Sequence, residues 1–158
     1  MPYIKNVENM KSKFTHTNIV ARDWRRLAEF YKAVFNCKEI LPERDLSGKW
    51  LDDLTSIESV HIEGIYLVLP GYDKNGPTLE IFQYGENLKN DGKRIYTEGF
   101  GHIAFSVDDV EKCLEEVKKN GGSSVGKVVE GDIRGTGRIH VVYAKDPEGN
   151  IIELQKWE

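Results

Sequence analysis

Two histidines and two glutamates stand at equivalent places in the chain. His16 and His102 each close a Phe-x-His triplet, Phe14-Thr15-His16 and Phe100-Gly101-His102, 86 residues apart. Glu80 and Glu153 each interrupt an apolar run, Leu79-Glu80-Ile81-Phe82 and Ile151-Ile152-Glu153-Leu154, 73 residues apart. A carboxylate on a buried face is costly unless a cation or hydrogen bonds compensate it. Taken singly, a histidine in a strand is more often a core or surface residue than a ligand; recurrence in a repeat shifts that balance. Two imidazoles and two carboxylates make a donor set that suits zinc, nickel, cobalt, manganese or iron(II). Four donors leave two positions of an octahedral ion open, enough for a substrate to chelate through adjacent oxygens and have its carbonyl polarised.

The elements that must hold these residues repeat as well. Each histidine opens a β-like run that passes through an aspartate, Asp23 or Asp109, suited to cap a helix. Helical spacing of Leu27, Phe30, Tyr31 and Val34 predicts a helix over 24–34, and that of Val110, Cys113, Leu114 and Val117 predicts one over 110–119. Asn120-Gly121-Gly122 is a strong stop for the second. Each glutamate follows a turn signal, Asn75-Gly76-Pro77 or Asp146-Pro147-Glu148-Gly149, with a further strand expected upstream over 60–69 and 138–144. Because strand side chains alternate faces, a His in a first strand and a Glu in a last strand can reach one concave face. The fold class expected is therefore α+β, with two βαβββ modules forming a curved mixed sheet around a metal-binding cavity. Residues 1–12 read as an N-terminal extension, 13–90 as the first module and 91–158 as the second. The unequal offsets of 86 and 73 residues imply an insertion in the first module, expected near 44–57 as a loop that covers the pocket.

A chain of 158 residues holds one ordinary domain or two small modules sharing a core. A net charge of −4 gives no electrostatic reason to expect nucleic acid, and a small-molecule partner fits better. No apolar run approaches membrane-spanning length, residues 1–12 lack the apolar core of a secretory signal, and Cys37 and Cys113 have no paired spacing. A cytoplasmic location is expected. The segment Gly121 to Lys127 nearly fits a phosphate-binding loop, but Val128 stands where a magnesium-binding Ser or Thr belongs and the segment follows a helix. The glycines from Gly121 to Gly137 read better as a flexible connection over the pocket. His61 and His140 fall in predicted middle strands, where a core or half-exposed role is the default and His140 is a candidate for the cavity wall.

On Gly99-Phe100-Gly101-His102-Ile103-Ala104-Phe105-Ser106-Val107-Asp108, the Asn120-Gly121-Gly122 stop and Asp146-Pro147-Glu148-Gly149-Asn150-Ile151-Ile152-Glu153-Leu154, the chain resembles the glyoxalase I / bleomycin resistance / extradiol dioxygenase superfamily, the vicinal oxygen chelate proteins. The likeness runs from Lys13 to Trp157 and is strongest to glyoxalase I. By resemblance the four metal ligands fall on His16, Glu80, His102 and Glu153, with Glu153 and Glu80 as candidates for the catalytic proton carrier. The activity implied is a metal-dependent lyase or isomerase acting through an enediolate on a small carbonyl or thiol-adduct substrate, in a homodimer.

The alternatives within the resemblance are a methylmalonyl-CoA-epimerase-like enzyme, a ring-cleaving dioxygenase and a metal-free ligand-binding protein. Glu80 stands where the epimerases usually carry Gln, and it fills a position that the dioxygenases leave open. One departure bears on substrate. Glyoxalase I of bacteria places an Arg four residues after its first His to hold a glutathione carboxylate, and this chain has Val20 there.

Overall fold

The computed structural model describes residues 11–158, so most of the expected extension over 1–12 lies outside the described residues. The first half runs β1 (His16–Val20), α1 (Trp24–Phe35), β2 (Lys38–Ser47), α2 (Lys49–Thr55), β3 (His61–Val68) and β4 (Thr78–Tyr84). The second runs β5 (Ile103–Ser106), α3 (Val110–Lys119), β6 (Ser123–Ser124), β7 (Val129–Ile133), β8 (Gly137–Lys145) and β9 (Ile151–Trp157). Among the described residues, no helix is long and apolar enough to cross a membrane.

Helices α1 and α3 begin where their caps dictate. Asp23 accepts a hydrogen bond from the Arg26 amide at 3.1 Å, and Asp109 one from the Lys112 amide at 2.9 Å, each satisfying a donor the helix leaves unpaired. The expected spans hold to within one residue; α1 ends where Asn36 turns into the left-handed region at φ 57°.

Each half makes its own mixed sheet of the expected α+β class. The first has strand order β1-β4-β3-β2, with β1 parallel to β4 and the other pairs antiparallel. The second has order β5-β9-β8-β6, with β5 parallel to β9 and β7 also paired to β8. The parallel pairing of first and last strand is the step that brings each histidine beside its glutamate. One face of each sheet packs on helices. Leu27 and Tyr31 of α1, Val110 and Val117 of α3, and the strand residues Leu67, Leu79, Ile81, Ile152 and Leu154 form one continuous core. Phe35 and Phe105 stack at 3.8 Å, joining the two halves.

Three expectations need correction. The insertion near 44–57 is not a loop: β2 continues to Ser47, and 49–55 is helix α2. Leu51, only 2% exposed, packs on Val60 and Ile62, and Asp52 accepts the Ser59 and Val60 amides, each at 3.0 Å. That anchoring is non-local, so nothing in the segment's own sequence announces it. The helix covers the Ile62 and Phe82 end of the face that carries Glu80. The glycine-rich stretch after α3 is likewise no free connection, because β6 and β7 both pair with β8 as sheet edge. His140 points away from the Glu153 face: its partners across β8 belong to the helix side, and its Nε2 lies 3.0 Å from Glu111 on α3.

Candidate metal centre

In the first sheet, His16 opens β1 and Glu80 lies two residue pairs further on, opposite Asn18. His16, Asn18 and Glu80 share the face turned away from α1, because residues paired across strands point the same way and alternate residues share a side. His16 Nδ1 is 3.4 Å from Glu80 Oε1, and Asn18 Nδ2 donates to Glu80 Oε2 at 3.3 Å. Glu80 is only 8% exposed while flanked by Leu79 and Ile81 in the core. Both of its protein contacts are long for interactions with a carboxylate, where about 2.7–2.9 Å is usual. A buried carboxylate so weakly compensated, with an imidazole at its side, fits a cation.

The second sheet repeats the arrangement. His102 immediately precedes β5, and Glu153 pairs with Ala104 on β5 and Tyr143 on β8. His102 Nε2 is 3.1 Å from Glu153 Oε2, and the His102 and Tyr143 rings lie 5.1 Å apart. Burial raises the pKa of the Tyr143 phenol, and the Glu153 carboxylate beside it pushes in the same direction. Asn18 thus holds Glu80 and Tyr143 stands beside Glu153; the sequence marks Tyr143 only as core or pocket wall and does not mark Asn18. Asn18 was legible in principle as the residue two beyond His16, on the same face. Tyr143 required the β8–β9 register.

The four residues come together as two pairs. Among the described residues, no three His, Cys, Asp or Glu side chains form a group able to hold one metal ion. His16 and His102 do face a common cleft of about 550 Å³ between the two halves, lined also by Phe14, Phe100 and Lys93. The turn before β9 fastens the halves beside this cleft. Glu148 accepts the backbone amides of Arg22 at 2.7 Å and Asp23 at 2.8 Å, a carboxylate at the N-terminus of α1.

Comparison with known proteins gives the same outline. The chain is 36% identical over 144 residues to a lactoylglutathione lyase of Salmonella typhimurium, covering 90% of each. It is 28% identical over 146 residues to lactoylglutathione lyase GLX1 of Arabidopsis thaliana, covering 90% of this chain but 43% of that one. The chain thus spans less than half the length of this plant relative, and the same holds for a lactoylglutathione lyase of Schizosaccharomyces pombe at 46%. Among solved structures, a glyoxalase family protein from Bacillus cereus superposes with a TM-score of 0.80 at 18% identity, covering 96% of this chain and 97% of that one. A variant of the fosfomycin resistance protein FosX from Listeria monocytogenes, complexed with Mn(II) and 1S,2S-dihydroxypropylphosphonic acid, superposes at 0.56 with 20% identity and 92% coverage of each. These structural likenesses speak for the fold. The family model for the Glyoxalase/Bleomycin resistance protein/Dioxygenase superfamily matches residues 13–154, nearly the whole span from before β1 to the end of the Glu153 strand, and the chain belongs to that superfamily.

Proposed function

We propose that this protein is a metal-dependent lyase or isomerase of the glyoxalase type, which moves a proton between adjacent carbons of a small carbonyl compound or thiol adduct. The observation that carries this reading is the repeated pair, His16 with Glu80 and His102 with Glu153, one on the same strand arrangement of each sheet. These four residues are the ligands for one divalent ion, with zinc, nickel, cobalt, manganese and iron(II) all compatible with the donors. The Mn(II) held by the Listeria FosX variant is an example of such an ion on this fold. A divalent ion draws charge from a substrate oxygen and so acidifies the neighbouring carbon–hydrogen bond.

The glutamates carry the proton. A carboxylate is a weak base toward carbon, so it must be held close and partly desolvated to act. Glu80 and Glu153 meet that requirement, each mostly buried beside a more open imidazole. Because the chain presents two pairs instead of one quartet, the reading includes a homodimer in which the first pair of one protomer meets the second pair of the other. The relatives' name points to a glutathione adduct, but Val20, 52% exposed on the His16 face, offers apolar surface where a cation would be wanted. The substrate is then a different thiol adduct, an acyl thioester or a free acid that needs no cation at that position.

The test is metal content of protein purified without chelator, followed by solvent deuterium exchange into hydroxyacetone and into the methylglyoxal adducts of glutathione and coenzyme A. Near-stoichiometric metal that is lost in His102→Ala, with exchange abolished in Glu153→Gln or Glu80→Gln, is the expected result. Protein that takes up none of the five metals on titration would overturn it and leave a ligand-binding member of the superfamily.

A further inference from the structure

The face that carries Glu80 also carries a half-buried arginine that, among the described residues, has no carboxylate partner. Arg44 on β2 pairs with Gly64 on β3, and Gly64 pairs with Phe82 on β4. Tyr66, two residues along β3, pairs with Glu80. Cross-strand partners share a face, so Arg44, Tyr66, Phe82 and Glu80 all lie on one face of the sheet. The guanidinium carbon of Arg44 lies 4.1 Å from the centroid of the Tyr66 ring, and the Tyr66 and Phe82 rings are 5.9 Å apart. Gly64 admits no side chain, since a Cβ there would stand 2.2 Å from the Ile81 carbonyl oxygen and 2.7 Å from the Phe82 ring.

Two other arginines are spent on carboxylates, Arg25 on Glu43 and Arg138 on Glu130, and Arg94 donates to the Tyr96 hydroxyl. Among the described residues Arg44 has no such partner, and its one hydrogen bond runs from Nη1 to the Pro42 carbonyl at 2.8 Å. A guanidinium laid on an aromatic ring keeps its in-plane donors free, in a fork that matches two oxygens of a carboxylate or phosphonate.

We propose that Arg44, held by Tyr66, is an anion subsite on the sheet face that carries Glu80: it binds a carboxylate or phosphonate on the substrate at a distance of two strand spacings, roughly 10 Å, from the strand of Glu80. This rests on the reading of Glu80 as part of a metal site. It supplies the substrate's anionic end with a cation on β2, a role Val20 cannot fill on β1. Arg44 and Glu80 belong to one sheet, so their relation holds whichever chain completes the ligand set.

The test compares three metal-chelating probes on metal-loaded protein: succinic monohydroxamate, its neutral methyl ester, and the hydroxamate bearing a phosphonate in place of the carboxylate. The charged probes are expected to bind about tenfold or more tighter than the ester, as charge-assisted bidentate contacts allow. Arg44→Met should erase that preference while leaving the ester's affinity unchanged, and Arg44→Lys should retain part of it. The tighter of the two charged probes names the anion. Equal binding of charged and neutral probes, or a preference that survives in Arg44→Met, overturns the subsite. Failure of the metal reading is told apart by nuclear magnetic resonance on metal-free protein, following the Arg44 Nε–Hε signal assigned by its loss in Arg44→Met. A saturable shift with succinate or methylphosphonate supports the subsite even in protein that takes up no metal, and no shift with either overturns it.

Discussion

The phenolic hydroxyl of Tyr31 donates to Asp146 Oδ2 at 2.9 Å, tying the middle of α1 to the turn that launches β9. Both side chains are buried, and Asp146 also accepts the amides of Glu148 and Asn150 and the side-chain amide of Asn150. The carboxylate therefore sets the turn's shape while the tyrosine anchors that turn to the other half of the molecule. Removing the hydroxyl leaves a buried acceptor short of one donor, a loss of about 1–3 kcal/mol. Tyr31→Phe should lower the melting temperature by about 2–4 °C for each kcal/mol in a protein of this size, measured by calorimetry. Unchanged stability would mean that the turn holds without α1.

The same carboxylate gives the fold a pH signature. Burial pushes the Asp146 carboxyl above its ordinary range, although the hydrogen bonds from Asn150, Tyr31 and Glu148 pull the other way. The folded state then binds this proton more tightly than the unfolded chain does. Below the unfolded value both states are protonated; as pH rises from there through the raised folded value, stability is lost; above it the loss is complete and constant. The wild-type stability minus that of Asp146→Asn should therefore fall across the mildly acidic range and level off toward neutrality, measured by urea unfolding from about pH 3.5 to 7. A difference that climbs with pH would show the hydrogen bonds outweighing burial.

How much of this was legible depended on range. The helices α1 and α3 were readable because the caps at Asp23 and Asp109 and the apolar spacing are local signals. The repeat located His16, Glu80, His102 and Glu153 without any knowledge of pairing. Helix α2 was not readable, since Leu51 is buried against Val60 and Ile62, which come later in the chain. His140 was misassigned for want of a register: it alternates with Tyr143 and Val141, the residues that face the Glu153 side, and so must face α3. The division of these four residues into two pairs is a fact of tertiary arrangement, which no local pattern encodes.

Tyr143 should matter to metal affinity without being a ligand. Its ring stands 5.1 Å from that of His102, and its strand pairs it with Glu153. Partners that orient ligands typically contribute about 10–100-fold to metal affinity. Tyr143→Phe should accordingly weaken binding by about tenfold in competition with a chromophoric chelator while leaving the fold's circular dichroism intact. Unaltered affinity would reduce Tyr143 to a wall of the pocket.

The shared-site reading makes a prediction that no single-chain site can imitate. A double variant His16→Ala, Glu80→Gln loses the first pair in every protomer, and His102→Ala, Glu153→Gln loses the second. Each alone lacks half the donors at every site, whether sites lie within chains or between them. Refolded together from equal amounts, the two variants pair at random, and half of the dimers are mixed. In a mixed dimer with shared sites, one site collects both damaged pairs and the other collects both intact ones. Metal content should then recover to about a quarter of the wild-type level, since one site in two is whole in half the dimers. If each ion is held within one chain, every chain in the mixture remains damaged and no metal returns. Because His16 and Glu80 lie on one sheet and His102 and Glu153 on the other, the variants remove whole pairs and leave each opposite sheet intact.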